Sequence, residues 1–275
     1  MNLRVGCQLD YDTEAEAHAV ALFEPHSSIQ DTILDEQWDC ERPPARFRDL
    51  YGNVCRRLDL TPDASSLAYH ATVRISPEPE TMPDERDVQH RVEELPSELL
   101  HWLLPSRLCE SDTLGDRAWE LFGKTPRGVR RVQAVCDWIQ DNVEYGVPSV
   151  PATTVGEVLE RRGGMCRDFA HLGISFCRAL GIPSRYVFGY MPDIGIPGPY
   201  PTMDFHAWFE VWLGESWWTF DARFNTPRIG RVPIGLGRDA VDVAMVTTYG
   251  AATLERMTVW ADEVEAVAAG DQHGR

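Results

Sequence analysis

The chain has 275 residues, 43% of them hydrophobic and 25% charged, and a formal net charge of −17. This describes a globular protein with enough apolar residues for one sizeable core or two smaller ones. The acidity excludes nucleic acid as an expected partner, because a phosphate backbone demands a basic surface; the local basic patch at Arg127, Arg130 and Arg131 reads as a solvated helix face.

The first stretch, "MNLRVGCQLDYD", lacks the apolar run of a signal peptide. No segment approaches the roughly 20 apolar residues of a membrane span, so no membrane association is expected. Residues 1–80 read as a β-rich domain. "LRVGCQLDY", "EAHAVALFEP" and "SLAYHATVRIS" carry strand-like runs, and "DLYGNVCRRLDL" reads as a hairpin whose Gly52-Asn53 pair suits a tight turn. The acidic, proline-rich "SPEPETMPDE" links this domain to a second one over 81–265, leaving 266–275 as a frayed tail.

Helical signals dominate up to Tyr145. Thr125 is placed as an N-cap with Pro126 in the first turn, and Val129, Val132, Cys136, Ile139 and Val143 form a core stripe at helical spacing. The next helix runs from Cys166 to Leu180, with Phe169, Ala170, Gly173, Phe176 and Cys177 on its apolar face, and stops at Gly181 and Pro183. "SRYVFGYM" follows as a buried strand, then the irregular loop "PDIGIPGPYPTM". "DFHAWFEVWL" and "SWWTFDARF" form two strands joined at Gly214-Glu215, and "VDVAMVTTYG" and "TLERMTVWADEV" are expected to close the sheet.

The seven cysteines are odd in number and scattered, with no disulfide framework and no CxxC zinc pair. They point to a reduced, cytoplasmic protein whose thiols are mostly small buried hydrophobes. Cys166 stands apart: behind Gly163 and Gly164, in the first turn of a helix, its thiolate would be favoured by the helix dipole and free backbone N–H groups. Glycines there also allow a sharp turn and close approach of a substrate. By position alone, a buried core thiol in phase with Phe169, Ala170 and Gly173 is the more common outcome.

The downstream strands change that balance. By alternation, His206, Trp208, Glu210 and Trp212 share one face, and Trp217, Thr219, Asp221 and Arg223 another. A hairpin loop of two or four residues sets Leu213 against Ser216, Trp208 against Asp221 and His206 against Arg223. His206 and Asp221 then become diagonal neighbours about 7–8 Å apart, less at the side chains; an odd loop length breaks the arrangement. The result is a Cys-His-Asp triad in which Cys166 attacks an acyl carbon, His206 moves the proton and Asp221 holds the imidazole. The backbone N–H of Cys166 would supply one oxyanion donor.

Rival residues carry less. His171 falls roughly 140° around the helix from Cys166, Asp168 suits capping at the helix start, and Glu210 is a weaker alternative orienter. Trp208, Trp212, Trp217 and Trp218 fit a core better than a cleft wall. Cys166, His171 and His206 lack zinc-ligand spacing.

These blocks resemble the transglutaminase-like cysteine enzyme superfamily, in its bacterial branch with an N-terminal β-domain. "GGMCRDFAHLGISFCRALGIPSRYVFGY" is similar to its nucleophile segment, "DFHAWFEVWL" to its His-Ala-Trp-x-Glu-Val block and "WWTFDARFN" to its Trp-x-x-Asp block. "DLYGNVCRRLDL" resembles its N-terminal hairpin, and "DVAMVTTYG" with "LERMTVW" its closing strands. The resemblance implies an α+β fold: a papain-like core with an antiparallel sheet and a nucleophile helix, plus an N-terminal β-sandwich-like domain. It implies Cys166 as nucleophile, His206 as base and Asp221 as orienter, with Gly164, Met165, Asp204 and Trp208 near the substrate cleft. The family often follows its aspartate with Pro-Thr-Asn; here Ala222, Arg223 and Phe224 precede Asn225, so substrate contacts there differ. Trp138 and Tyr145 are the candidates for an oxyanion-hole aromatic, and with no acidic calcium pattern neither a metal nor a cofactor is expected.

The expected activity is thiol-dependent acyl chemistry through a thioester, hydrolysing a peptide, protein or small amide. Transamidation or biosynthetic amide formation uses the same triad, and a non-catalytic interaction module with this fold is the alternative of another class. The loop before His206, "YMPDIGIPGPYPTMD", is expected to border the cleft.

Overall fold

The computed structural model describes residues 1–40, 42–62, 66–200 and 202–264. The expected tail at 266–275 lies outside the described residues. The fold is α+β, built on three four-stranded sheets and four α-helices among those residues.

The N-terminal part holds β1 (Asn2–Asp12), β2 (Ala17–Ala21), β3 (Ile33–Asp39), β4 (Ala45–Arg48), β5 (Val54–Leu60) and β6 (Ser66–Arg74). In β1 the alternate residues Leu3, Val5, Cys7, Leu9 and Tyr11 are buried, the period-2 pattern of a strand with one face on a core. The expected hairpin is β4–β5, closed by residues 49–53, with Gly52 at φ +83°. Asn53 has a different task from a turn residue. Its amide donates to the Leu236 carbonyl at 2.9 Å and accepts the Leu236 N–H at 2.7 Å, tying the hairpin to the second part of the chain. Strand β3 gave no sequence signal because it is an edge strand, mostly exposed and without alternation.

The second part contains α1 (Gly115–Phe122), α2 (Val129–Asn142), β7 (Glu144–Tyr145), α3 (Val155–Arg161), β8 (Gly163–Gly164), α4 (Cys166–Ala179), β9 (Ser184–Tyr190), β10 (His206–Leu213), β11 (Ser216–Phe220) and β12 (Val232–Gly237). Its sheet runs β11-β10-β9-β12, antiparallel throughout. Strand β12 was not legible in "RVPIGLG": it is an edge strand with a bulge at Pro233–Gly235, a place where proline and glycine are tolerated.

Three expectations are corrected. Helix α2 starts at Val129 with Gly128 as N-cap, not at Thr125–Pro126; the Thr125 and Gly123 carbonyls accept from the Arg131 guanidinium at 2.8 and 3.2 Å, which holds the preceding segment as a turn. Helix α4 has no solvent face: every residue from Asp168 to Arg178 is buried, because helices cover the side away from the sheet. Finally, β13 (Val246–Tyr249) and β14 (Thr253–Val264) do not close the sheet of the second part. They return to pair with β2 and β1, giving the orders β13-β2-β5-β4 and β14-β1-β6-β3. Pairing with β2 and β1, strands more than 200 positions away in the chain, settles their place, and no local hydrophobic pattern reveals it. One apolar core runs through both parts of the chain.

Gly173 shows how tightly α4 meets β10. A Cβ there would lie 2.5 Å from the Phe209 ring. Gly173→Ala is expected to lower stability by about 1–3 kcal/mol through overpacking; urea unfolding with an unchanged midpoint would contradict this.

Candidate active site

Cys166 opens α4, with Met165 in extended conformation as its N-cap residue. The Met165 N–H donates to the Asp168 carboxylate at 2.8 Å, so Asp168 caps the helix as its position suggests. It is fully buried, with Arg161 and Arg167 at 3.7 and 3.6 Å. The glycine pair has a packing reason. A Cβ on Gly164 would strike the Asp168 side chain at 2.7 Å, and one on Gly163 would strike Val147 at 2.5 Å. The pair forms β8, parallel to β7, with Tyr145 opposite Gly164.

The β10–β11 hairpin has the two-residue loop, with Leu213 opposite Ser216. His206 and Asp221 meet directly: the His206 Nε2 donates to Asp221 Oδ2 at 2.8 Å, and both residues are buried. Asp221 is saturated. Its Oδ2 also accepts from Arg231 Nη2 at 2.8 Å, while Oδ1 accepts the Arg223 N–H at 3.0 Å. Arg231 is clamped in turn by Glu80 at 2.7 Å and lies 4.9 Å over the Trp208 ring. Sequence reading missed Arg231 and Glu80, since neither sits in a block of recognisable spacing; a buried carboxylate needing a second cation was the only pointer.

Burial raises the Asp221 pKa, but the charges and hydrogen bonds of His206 and Arg231 outweigh it and hold the carboxyl well below its ordinary range. Burial alone would lower the His206 pKa; the Asp221 carboxylate and the neighbouring thiol carry it above the ordinary value. The Cys166 thiol faces this imidazole and the Ala207 N–H. Burial pushes it up, yet His206, the Ala207 N–H and the Arg223 charge leave it lowered. The six other cysteines are all raised by burial, Cys109 and Cys177 to about 12 and Cys55 to about 11. One thiol of seven is therefore set towards the thiolate.

The other residues singled out from sequence fall into place around this pair. His171 is buried, pushed well below its ordinary pKa by burial, and accepts the Ala240 N–H at 3.2 Å. Glu210 is paired with Arg185 at 2.5 Å and does not reach His206. Among the expected cleft residues, Asp204 is exposed and Met165 half-buried, whereas Gly164 and Trp208 are buried. Trp208 packs with Val187 and Leu236, its ring 6.4 Å from the His206 ring. Of the two candidate aromatics, Trp138 packs edge-to-face on Phe122 and Phe176 among the helices. Tyr145 is the one beside Cys166; burial first, then the thiol's charge, raises its pKa to about 12. A cavity of about 450 Å³ opens on the far side of Asp221, lined by Glu80, Phe220, Asn225 and Arg231 among others. No helix among the described residues is long and apolar enough to cross a membrane.

The family model described as the transglutaminase-like superfamily matches residues 117–222, from α1 to just past Asp221. The crystal structure of a "putative cysteine protease" from Cytophaga hutchinsonii is 32% identical, with a TM-score of 0.79 over 97% of this chain and 91% of that one. An uncharacterized protein of Mycobacterium leprae is 32% identical over 120 residues, 42% of each chain, and one of Mycobacterium tuberculosis is 35% identical over 102 residues, 34% of this chain and 32% of that one. The matched segment thus spans less than half the length of these curated relatives. With a family match across α4, β10 and β11, and a relative aligned over nearly its whole length, the chain belongs to the transglutaminase-like superfamily.

Proposed function

We propose that this protein is a cysteine hydrolase that cleaves a peptide or small amide bond through a thioester on Cys166. The observation that carries this reading is the single lowered thiol at the head of α4, facing an imidazole whose other nitrogen is held by Asp221. His206 Nδ1 accepts the thiol proton. Sγ attacks the acyl carbon, and the tetrahedral oxyanion collapses as Nδ1 returns the proton to the leaving amine. Water then gives its proton to Nδ1 and attacks the thioester, releasing the carboxylic acid and restoring the thiol. The Cys166 N–H, in the first helical turn and without an i−4 acceptor, would serve the oxyanion. Seven unpaired thiols suit a reducing compartment, and we place the protein in the cytoplasm.

The test is acylation by p-nitrophenyl acetate followed by peptide mass mapping. An acetyl group is expected on Cys166, absent in Cys166→Ala; acetylation spread over other residues, or none, would sink the proposal. Amine acceptors added to the acetyl-enzyme separate hydrolysis from transamidation.

Alkylation gives an independent prediction. Iodoacetamide at neutral pH is expected to modify Cys166 first, with the rate falling as pH descends through its lowered pKa. In His206→Ala the pKa rises, and each unit regained removes roughly tenfold of the thiolate at a pH below it. Equal, slow reaction of all seven thiols in the folded protein would contradict the assignment.

A further inference from the structure

Arg223 lies two residues after Asp221, in the stretch where this chain departs from the family's usual pattern. Its backbone N–H is anchored on Asp221 Oδ1 at 3.0 Å. Its guanidinium rests 3.9 Å over the Tyr145 ring and 4.4 Å over the Phe224 ring, and Nη1 comes within 3.5 Å of His206 Nδ1. In a chain where acidic residues outnumber Lys and Arg by 43 to 26, a half-buried arginine would ordinarily find a carboxylate. Arg231 has two, Asp221 and Glu80. Arg223 has none among the described residues. Aromatic faces hold its planar fork beside the nucleophile but leave its donors without an anion.

We propose that Arg223 binds the α-carboxylate of the leaving amino acid, so that the substrate class is N-acyl amino acids or peptides cleaved at their C-terminal residue. The proposal rests on the reading of Cys166 as nucleophile and His206 as proton carrier. Its geometry follows from Nδ1. That atom must hand its proton to the leaving nitrogen, so a group within reach of Nδ1 is next to that nitrogen. The α-carboxylate of an amino acid is two bonds from its nitrogen. Only while the imidazole is neutral can Nδ1 accept from Arg223; with the thiol proton on Nδ1 it cannot, and the guanidinium is free for the substrate's anion. A forked, charge-assisted pair with a carboxylate then discriminates acid from amide.

Two reagents of equal size test the carboxylate. Iodoacetate and iodoacetamide both transfer their CH₂ group to the thiolate and release iodide, and differ only in carboxylate against carboxamide. The ratio of their rates at Cys166 is expected to be roughly tenfold or more higher in the native protein than in the urea-unfolded chain, the scale of one charge-assisted hydrogen bond. It should collapse in Arg223→Ala and recover in part in Arg223→Lys. An equal ratio in native and unfolded wild-type protein overturns the proposal without any variant. So does an Arg223→Ala protein slowed equally towards both reagents, in which Arg223 would serve the thiolate alone. Failure of iodoacetamide to favour Cys166 at all would instead remove the nucleophile reading.

The leaving side is tested by reversal. Glycine and glycinamide are offered to the acetyl-enzyme; either amine attacks the thioester carbonyl and expels the thiol. The proportion of N-acetylglycine is expected to fall in Arg223→Ala. An unchanged proportion, with the iodoacetate preference intact, would place the carboxylate on the acyl side and overturn the leaving-group assignment.

Discussion

Asp221→Asn is expected to reduce turnover of p-nitrophenyl acetate by up to about 10⁴-fold, the scale seen when the carboxylate of a triad loses its charge. All its neighbours are donors: His206 Nε2 and Arg231 on one oxygen, the Arg223 N–H on the other. An asparagine must turn its NH₂ group towards one of these sets. Facing His206, it reverses the tautomer, so that Nδ1 carries a proton and cannot accept one from Cys166. Facing the backbone, it sets donor against donor. Either way the buried Arg231 keeps only Glu80 as a charged partner, and stability should fall by about 1–3 kcal/mol, the cost of losing a buried charge-assisted hydrogen bond. The stability effect has a sign in pH. Because the folded-state pKa of Asp221 is depressed, its contribution is fully present above the unfolded value of about 3.9 and fades as pH falls through the folded one. The wild-type advantage over Asp221→Asn should therefore shrink on acidification. Glu210→Gln serves as the control and should leave turnover intact, since Glu210 pairs with Arg185. Equal activity of Asp221→Asn and wild type would remove Asp221 from the triad.

The largest effect on folding is expected at Arg178. Buried near the end of α4, it donates to the carbonyls of Ser184 at 2.9 Å, Leu104 at 3.1 Å and Arg238 at 2.7 Å, and to Ser106 Oγ at 3.3 Å. One guanidinium thus binds α4 to the start of β9, to the segment before α1 and to the end of β12. In Arg178→Ala the buried Ser184 carbonyl and the part-buried carbonyls of Leu104 and Arg238 each lose a charged donor, at about 1–3 kcal/mol apiece. The sum is comparable with the whole stability of an ordinary domain, about 5–15 kcal/mol. Arg178→Ala is expected to be insoluble or unfolded at 25 °C by circular dichroism. Arg178→Lys should rescue little, because an ammonium cannot span acceptors that diverge around a planar fork. A soluble Arg178→Ala protein with a cooperative transition near that of wild type would refute this.

Arg178 also shows why part of the molecule was illegible in sequence. In "FCRALGIPSR" it reads as an ordinary cation near a helix C-terminus, and only the closing of three segments over it makes it a core residue. The same holds for Arg231 and Glu80, which lie 151 positions apart in the chain. Their partnership with Asp221 depends on a loop packing back against the β11-β10-β9-β12 sheet. His206 and Asp221 were legible because a tight hairpin converts sequence spacing into spatial register, and one two-residue loop decides it. The glycines before Cys166 were legible as special, but for an incomplete reason. Their missing side chains leave room for Asp168 and Val147, contacts made by elements that no local pattern reveals.

Local matters were readable from the residues alone: a helix beginning at Cys166, a strand pair carrying His206 and Asp221 in matching phase, a glycine turn before Asn53, and an acidic chain with scattered thiols. Each follows from residues a few positions apart, where periodicity, capping and turn chemistry act. It took the closed fold to send β13 and β14 back to the N-terminal sheets, to bury α4 on every side, and to clamp one arginine on Asp221 while another, beside His206, has no carboxylate among the described residues. Those outcomes depend on which distant surfaces meet. Burial and charge pairing are properties of the closed fold, and no window of the chain contains them.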